Sequence, residues 1–468
     1  MAKVLLVMPH LPQRMGAPYL GQQYVAASLL SRGHEVKVLD ASAVLWEGTD
    51  ADIVAEAERF GPDMIGMTLF TYNALRGYLL VPQLRATTRL LVAGGPHPTV
   101  MPEEPLDFGF DVSIAGEGEL AVQALASWLD DGGELSDIPG LFSRKGKGPP
   151  RTPLSDLDAL PFPLESYGCF DPGWYSPTTQ IVPGGLMTSR GCPARCTFCA
   201  NYVTGRAYRW RSAKNVVSEM VTLRDRFGVT HFPFWDDAFT ARRPRLNELC
   251  DAIIAEPALS GVTWTCITPG NMVKPRDLAK MREAGCKAVN FGIESGDYNI
   301  LKVIKKGQRP EQVKAAVAAA RAEGMMTIVN FMFGFPEEDV EALKNTLGLM
   351  ESLSENTDFF NNRGVLVPFP GTTIYDVNHR SYGFERWWLN PQYIPDEPNL
   401  FVLDPSQAQE YLLRDPTLEL NFFDYADDVR ELIASCVRFK GLHNQRVVHR
   451  VTSMSNAPTE SGGALASL

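Results

Sequence analysis

The sequence predicts an α/β chain: an N-terminal doubly wound, Rossmann-like domain, then a partial (β/α)6 barrel and a small, mainly helical C-terminal region. Two patterns carry that expectation. Over roughly the first 130 residues short apolar runs alternate with helical stretches closed by glycine, and a second alternation with six strand-like runs begins at Gly185. Between them Arg144 to Pro163, rich in Lys, Gly and Pro, reads as a linker.

In the first half, Val4–Val7, Val36–Leu39, Met64–Thr68, Leu90–Ala93 and Val112–Ala115 read as strands. Gln22–Arg32 and Ala51–Phe60 read as helices stopped by Gly33 and Gly61. Open sheets of this kind take ligands outside the carboxyl ends of their strands. Those ends supply His10, then Thr68 and Thr71, then Gly94, Gly95 and His97, and then Gly116, Glu117, Gly118 and Glu119. No G-x-G-x-x-G follows the first strand and no Walker A pattern occurs, which argues against a nicotinamide or nucleoside triphosphate site.

In the second half the strands are expected near Leu186–Ser189, Thr230–Trp235, Val262–Ile267, Ala288–Ile293, Thr327–Phe333 and Phe359–Val367. Helices fall between them, near Ala213–Phe227, Arg245–Ala255, Pro275–Ala284, Glu311–Glu323 and Asp339–Ser352. Such a barrel places its active site at the C-terminal ends of its strands. The expected domains are 1–143, a linker over 144–184, the barrel over 185–375 and a cap over 376–468. The cap is rich in Trp and Tyr and ends in a Ser/Gly/Ala tail, Ser455 to Leu468, which composition marks as disordered.

The 468 residues suit two or three domains, and 45% apolar with 21% charged residues is ordinary for a soluble enzyme. A net charge of -11 gives no broad basic field, so nucleic acid is not the expected partner. The first residues lack a signal h-region and no apolar run reaches a membrane span, so a cytoplasmic location is expected. Eight cysteines are too sparse for a disulfide scaffold, and Cys192, Cys196 and Cys199 lie within eight residues.

That cluster, Cys192-Pro-Ala-Arg-Cys196-Thr-Phe-Cys199, follows the first barrel strand. Three thiolates on one loop can hold three irons of a 4Fe-4S cubane and leave the fourth open. An open iron can chelate the amino and carboxylate groups of S-adenosylmethionine (SAM). A structural zinc site instead needs four closed ligands, and no second Cys pair or nearby His completes one.

The spacing Cys-x3-Cys-x-aromatic-Cys, with Phe198 as the aromatic, resembles the signature of the radical SAM superfamily. By strand order the resemblance assigns Asp236 and Asp237 to the segment at the SAM amino group, and Glu294, with Ser295, to the one whose carboxylate bonds the ribose. Asn330 through Pro336 and Val367 through Gly371 resemble the turns shaping the adenine pocket and barrel rim. Asp236 and Asp237 have helix capping as their alternative reading, and Glu219 reads as a salt-bridge partner. The edge segments of the N-terminal half, in this order before this barrel, resemble the cobalamin-binding domain of one large radical SAM class. The Asp-x-His-x-x-Gly pattern that gives cobalt a histidine in other cobalamin proteins is absent here.

The resemblance implies a cobalamin-dependent radical SAM methyltransferase. It would use a 5'-deoxyadenosyl radical and methylcobalamin to methylate a carbon centre of a small-molecule, biosynthetic or natural-product, substrate. The alternative is a cyclisation, ring contraction or oxidation without methyl transfer. A methylthiotransferase is disfavoured, since no cysteine precedes Cys169. The expected cofactors are a 4Fe-4S cluster, SAM and cobalamin. The expected partners are a small-molecule substrate and an external electron donor of flavodoxin or ferredoxin type. Cys169, Cys250, Cys266, Cys286 and Cys436 read as small buried residues.

Overall fold

The computed structural model describes residues 1–175, 184–395 and 416–454; the C-terminal tail lies outside them. Two compact units emerge. One takes in Met1–Gly184, Ala200–Gly205 and the stretch from Arg386; the other takes in Gly185–Cys199, Arg206–Glu385 and the C-terminal helix.

In the first unit the strands are β1 (Lys3–Met8), β2 (Glu35–Asp40), β3 (Met64–Thr68), β4 (Leu90–Gly94), β5 (Val112–Ile114), β6 (Leu141–Ser143) and β7 (Gly146–Lys147). The sheet order is β2-β1-β3-β4-β5-β6-β7, parallel as far as β5. The chain leaves central β1 first toward β2 and then toward β3, so the strand order reverses beside β1, the usual ligand crevice of a doubly wound sheet. The antiparallel β6 and β7 extend this sheet, so the start of the stretch read as a linker is strand. The reason is local: Gly146, at φ 146°, lets the chain reverse where Arg144 and Lys145 suggested only solvation.

The helices here are α1 (Leu20–Leu30), α2 (Asp50–Phe60), α3 (Ala74–Leu84), α4 (Pro96–Val100), α5 (Glu104–Asp107) and α6 (Glu119–Asp131). Gly33 and Gly61 both sit at positive φ, 80° and 62°, where a side chain would strain the backbone. Val4, Leu6, Val38, Met64, Val92 and Val112 form one core cluster with Ala26 and Leu29 of α1 and Leu125 of α6.

In the second unit two short strands, β8 (Ser189–Arg190) and β9 (Arg209–Trp210), pair with each other. The parallel sheet is β10 (His231–Phe234), β11 (Thr263–Pro269), β12 (Cys286–Glu294), β13 (Met326–Phe333) and β14 (Phe359–Val365), in that order. Its helices are α7 (Ala213–Phe227), α8 (Arg243–Ala255), α9 (Pro275–Glu283), α10 (Tyr298–Val303), α11 (Pro310–Ala322), α12 (Val340–Leu353), α13 (Thr373–Asn378) and α14 (Asp427–Met454). The expected first barrel strand is reduced to one bridge, Leu186 to Phe234. Its next residues, Thr188 and Ser189, give their N–H groups to the Asp236 carboxylate and so leave the ladder.

Alternation along the strands separates two faces. On β11 Trp264, Cys266 and Thr268 are buried, while Thr265 and Ile267 are half-buried; Asn290 and Gly292 on β12 and Asn330 and Met332 on β13 repeat the half-buried pattern. One face therefore packs under the helices and the other lines a partly open barrel. Trp264, with no exposed surface, also donates its indole N–H to the Ala284 carbonyl at 2.7 Å, and truncating such a residue costs about 3–5 kcal/mol. Among the described residues no helix is long and apolar enough to cross a membrane.

Candidate functional site

The cysteine loop is held by its neighbours rather than by its thiols. Asp236 is expected to touch SAM, but it is buried and its oxygens accept from the Thr188 and Ser189 backbones at 2.6 and 3.0 Å and from both hydroxyls. Arg245 lies 3.6 Å away. Its geometry fastens the strand that leads into the loop. The exposed Asp237 accepts from the Gly191 N–H at 3.1 Å, one residue before Cys192. Farther along, Thr197 donates its N–H to the Ile304 carbonyl at 2.9 Å and accepts on its own carbonyl from Ile374 at 3.1 Å. The Phe198 ring packs 5.7 Å from that of Phe335.

Cys192 and Cys196 are partly exposed and Cys199 is exposed, whereas the other five cysteines are buried. Burial pushes the Cys192 and Cys196 thiols up overall, and the ammonium of Lys306 offsets only part of that rise. Among the described residues, no three His, Cys, Asp or Glu side chains gather closely enough for one metal ion. A cubane makes a different demand, since each thiolate binds a separate iron. The donor set fits it: three accessible thiols on an anchored loop, with a cation nearby to offset their charge.

That cation was not singled out in the sequence. Lys306 Nζ lies 2.6 Å from Glu294 Oε1, with each side chain 8% exposed, and 5.7 Å from the Phe198 ring centre. Burial opposes the charge of Lys306, but Glu294 and then Cys196 raise its pKa overall. Glu294 itself sits at φ 74°, a left-handed conformation that costs a non-glycine residue about 1–3 kcal/mol and clusters at functional sites. The β12 register against β13 shifts there, between Gly292 and Glu294. Gln308 pins the irregularity by donating to the Gly292 and Ile293 carbonyls at 3.1 and 3.0 Å. At Gly292 a Cβ would lie 2.9 Å from Glu294 Oε1 and 3.0 Å from Lys306 Nζ, so a larger residue crowds the pair. Nothing in Ile304-Lys-Lys-Gly307 signals that the chain after α10 returns to Glu294.

Ser295 is buried and shares its hydroxyl with Thr346 at 3.1 Å and with the Asp297 N–H at 3.1 Å. Asn330, half-buried on the open face, donates to the Asn290 side chain and to the Phe291 carbonyl. The turn after β13 is clamped at Gly334, φ 82°: Glu338 accepts its N–H at 2.6 Å and Tyr425 donates to its carbonyl at 2.5 Å. Glu219 is a buried ion-pair partner of Arg211 at 2.5 Å.

In the first unit the loops after β3, β4 and β5 are sewn together. Leu69 N–H donates to the Gly94 carbonyl at 2.8 Å, His97 N–H to the Leu69 carbonyl at 2.9 Å, and Gly116 N–H to the Thr99 hydroxyl at 3.0 Å. The residues expected there fall into two groups. Thr68, Gly94, Gly95, Gly116 and Gly118 are half-buried, while Thr71, His97, Glu117 and Glu119 are buried. A Cβ on Gly94 would meet nothing within 4 Å, whereas one on Gly95, at φ 102°, would lie 3.0 Å from the Leu69 carbonyl oxygen.

The edge is thus a low surface of small residues, which fits a broad, flat ring system. It does not present His97 to a metal. That imidazole is 0% exposed, its two nitrogens facing Glu104 at 2.9 Å and Thr71 at 3.3 Å. Glu117 likewise turns inward, accepting from the Leu154 N–H at 3.2 Å, and both it and Glu119 face Arg151 at 3.8 and 4.0 Å.

The two units match two known domain families: the radical SAM superfamily over residues 186–350 and the B12 binding domain over residues 16–126. The uncharacterized methyltransferase PH0819 of Pyrococcus horikoshii is 32% identical over 390 residues, 80% of this chain and 82% of that protein. Cytidylyl-2-hydroxyethylphosphonate methyltransferase of Streptomyces wedmorensis is 31% identical over 376 residues, 68% of this chain and 69% of that one. In fold the chain resembles the radical S-adenosylmethionine methyltransferase TsrM of Kitasatospora setae, solved with cobalamin and a [4Fe-4S] cluster. The TM-score is 0.67 at 19% identity, covering 97% of this chain and 100% of that one. The chain therefore belongs to the radical SAM superfamily, in the class that carries a B12 binding domain ahead of the radical SAM domain.

Proposed function

We propose that this protein is a cobalamin-dependent radical SAM methyltransferase that methylates a carbon centre of a small molecule. The observation that carries the reading is the joining, in one barrel unit, of the accessible Cys192, Cys196 and Cys199 loop with the strained Glu294–Lys306 pair. When bound, the cofactors supply a 5'-deoxyadenosyl radical and a transferable methyl group.

The chain's own residues orient and protect. Cys192, Cys196 and Cys199 hold three irons and leave the fourth to SAM. Glu294 accepts hydrogen bonds from the ribose hydroxyls of SAM, and Lys306 fixes its carboxylate in place. Asp237, just after β10, and Asn330, on β13, contact SAM, while Asp236 and Ser295 act from behind by fastening the backbone. In the other unit Thr68, Gly94, Gly95, Gly116 and Gly118 form the floor for cobalamin, and Thr71, His97, Glu117 and Glu119 brace it. The five remaining cysteines are buried and supply no second cluster, so the electron comes from an external donor of flavodoxin or ferredoxin type. Reduced thiols and an oxygen-sensitive cluster suit the cytoplasm.

The test is anaerobic reconstitution followed by reduction and incubation with deuterated-methyl SAM and an extract from a deletion strain. Mass spectrometry should find the label on a product carbon, with 5'-deoxyadenosine and S-adenosylhomocysteine formed beside it. Formation of 5'-deoxyadenosine without label transfer would replace methylation by cyclisation, ring contraction or oxidation. Absence of 5'-deoxyadenosine would remove the radical reading altogether.

A further inference from the structure

One buried carboxylate gathers donors from distant parts of the sequence. Glu104 Oε1 accepts from the Tyr78 hydroxyl, the His97 imidazole and the Trp388 indole N–H, each at 2.9 Å. Arg386 Nε lies 3.7 Å from its other oxygen, and the Glu104 side chain is 1% exposed. Burial opposes the charge on Glu104, but the bonds from His97, Trp388 and Tyr78 hold its pKa below the usual carboxylate range. Trp388 stands 284 positions from Glu104 in sequence, yet both belong to the first compact unit.

The packing around the carboxylate is equally specific. The Trp388 ring meets His97 edge-on at 5.2 Å, and Trp387 meets Tyr72 at 5.5 Å in the loop after β3. Arg386 adopts φ 50° at the entry to this turn, and both tryptophans that follow it are buried. His97 is the hinge of the arrangement. Its ring joins Glu104 to Thr71, and its N–H reaches the Leu69 carbonyl, so it ties the loop after β3 to the Gly94–Gly95 turn after β4.

We propose that His97, Glu104 and Trp388 are positioning residues for cobalamin, with the 386–393 segment acting as a remote brace that fixes the Gly94–Gly95 floor. The inference rests on the reading of that edge as the cobalamin site. Since the floor offers glycine and backbone rather than a side-chain ligand, affinity depends on its being held in shape before the cofactor arrives. Free of the brace, the turn must be ordered at the moment of binding.

The experiment uses the full-length, cluster-loaded protein and hydroxocobalamin. Trp388→Phe keeps the packing but removes the donor and should weaken cobalamin about tenfold, and His97→Leu about 10- to 100-fold, the range seen when supporting shells are removed. His97→Gln, which retains a donor and an acceptor, should restore affinity to within a few-fold of wild type. The electron paramagnetic resonance spectrum of bound cob(II)alamin should change in His97→Leu and revert in His97→Gln, with iron and sulfide content unchanged. Wild-type affinity and spectrum in both Trp388→Phe and His97→Leu would overturn the proposal, as would equal loss in His97→Leu and His97→Gln. If the wild-type protein itself binds no cobalamin, the cofactor reading fails. The brace is then judged by amide hydrogen exchange over residues 94–104: faster exchange in Trp388→Phe supports it and unchanged exchange refutes it.

Discussion

At the end of β12 the chain places a charged side chain, Glu294, and holds it with a left-handed backbone and a buried lysine. At the end of β4 it places two glycines and turns its histidine inward. The difference follows from what each edge is suited to hold. A cluster and a charged cofactor need donor atoms at fixed positions, which only particular side chains supply. A large flat ring needs area without obstruction, supplied by backbone and the absence of Cβ atoms. The first kind of site is sensitive to changes of charge or donor, the second to changes of volume.

Substitutions can set these two sensitivities against each other. The largest effect is expected from Cys196→Ala, which should reduce cluster iron and 5'-deoxyadenosine formation to background while cobalamin absorbance is retained. Wild-type rates would end the cluster assignment. Next is Lys306→Met: an uncompensated buried Glu294 should cost about 3–5 kcal/mol in denaturant unfolding, and a double Lys306→Met, Glu294→Leu variant should regain most of it. Failure of the double variant to recover would mean that packing, not charge, dominates there.

Gly94→Leu tests volume. Its Cβ position is open, so stability should stay within about 0.5 kcal/mol of wild type. Cobalamin affinity should nonetheless fall about tenfold, or ~1.4 kcal/mol, by equilibrium titration. Equal binding would move the cofactor off this edge.

The smallest effect on the reaction is expected at Glu338, whose carboxyl burial pushes up from 4.5 to about 8 despite its bonds from Gly334 and Phe335. Such a group binds its proton more tightly folded than unfolded. Its contribution to stability is full below pH 4.5 and is lost as pH rises through about 8. Between about pH 5 and 8 the wild type should therefore lose stability relative to Glu338→Gln, whose profile should be flatter, with cluster content unchanged. Parallel melting profiles for the two proteins would show that Glu338 is ionised throughout.

Legibility in the sequence followed the same division. The cysteine loop was plain because ligand chemistry demands fixed residue types at fixed spacing. Glu294 was legible as a carboxylate ending an apolar strand, but its partner Lys306 was not, because the contact is made by a returning loop without a periodic signal. Asp236 shows the converse: its place after the second barrel strand suggested a ligand contact, while the fold engages it with Thr188 and Ser189. His97 was picked out by its place at a strand end, and the structure gives it Glu104 and Thr71 instead of an open face. The Leu186–Ser189 run lost most of its ladder to that same Asp236 carboxylate.

By itself the sequence determined the two alternations, the glycine stops and the three-thiol loop, since each depends on covalent geometry or ligand chemistry acting over a few residues. Tertiary structure decided which polar side chains are exposed and which are fasteners. It brought Lys306 to Glu294 and Trp388 to Glu104. A buried charge must find its partner wherever the chain returns, and spacing along the sequence does not encode where that is.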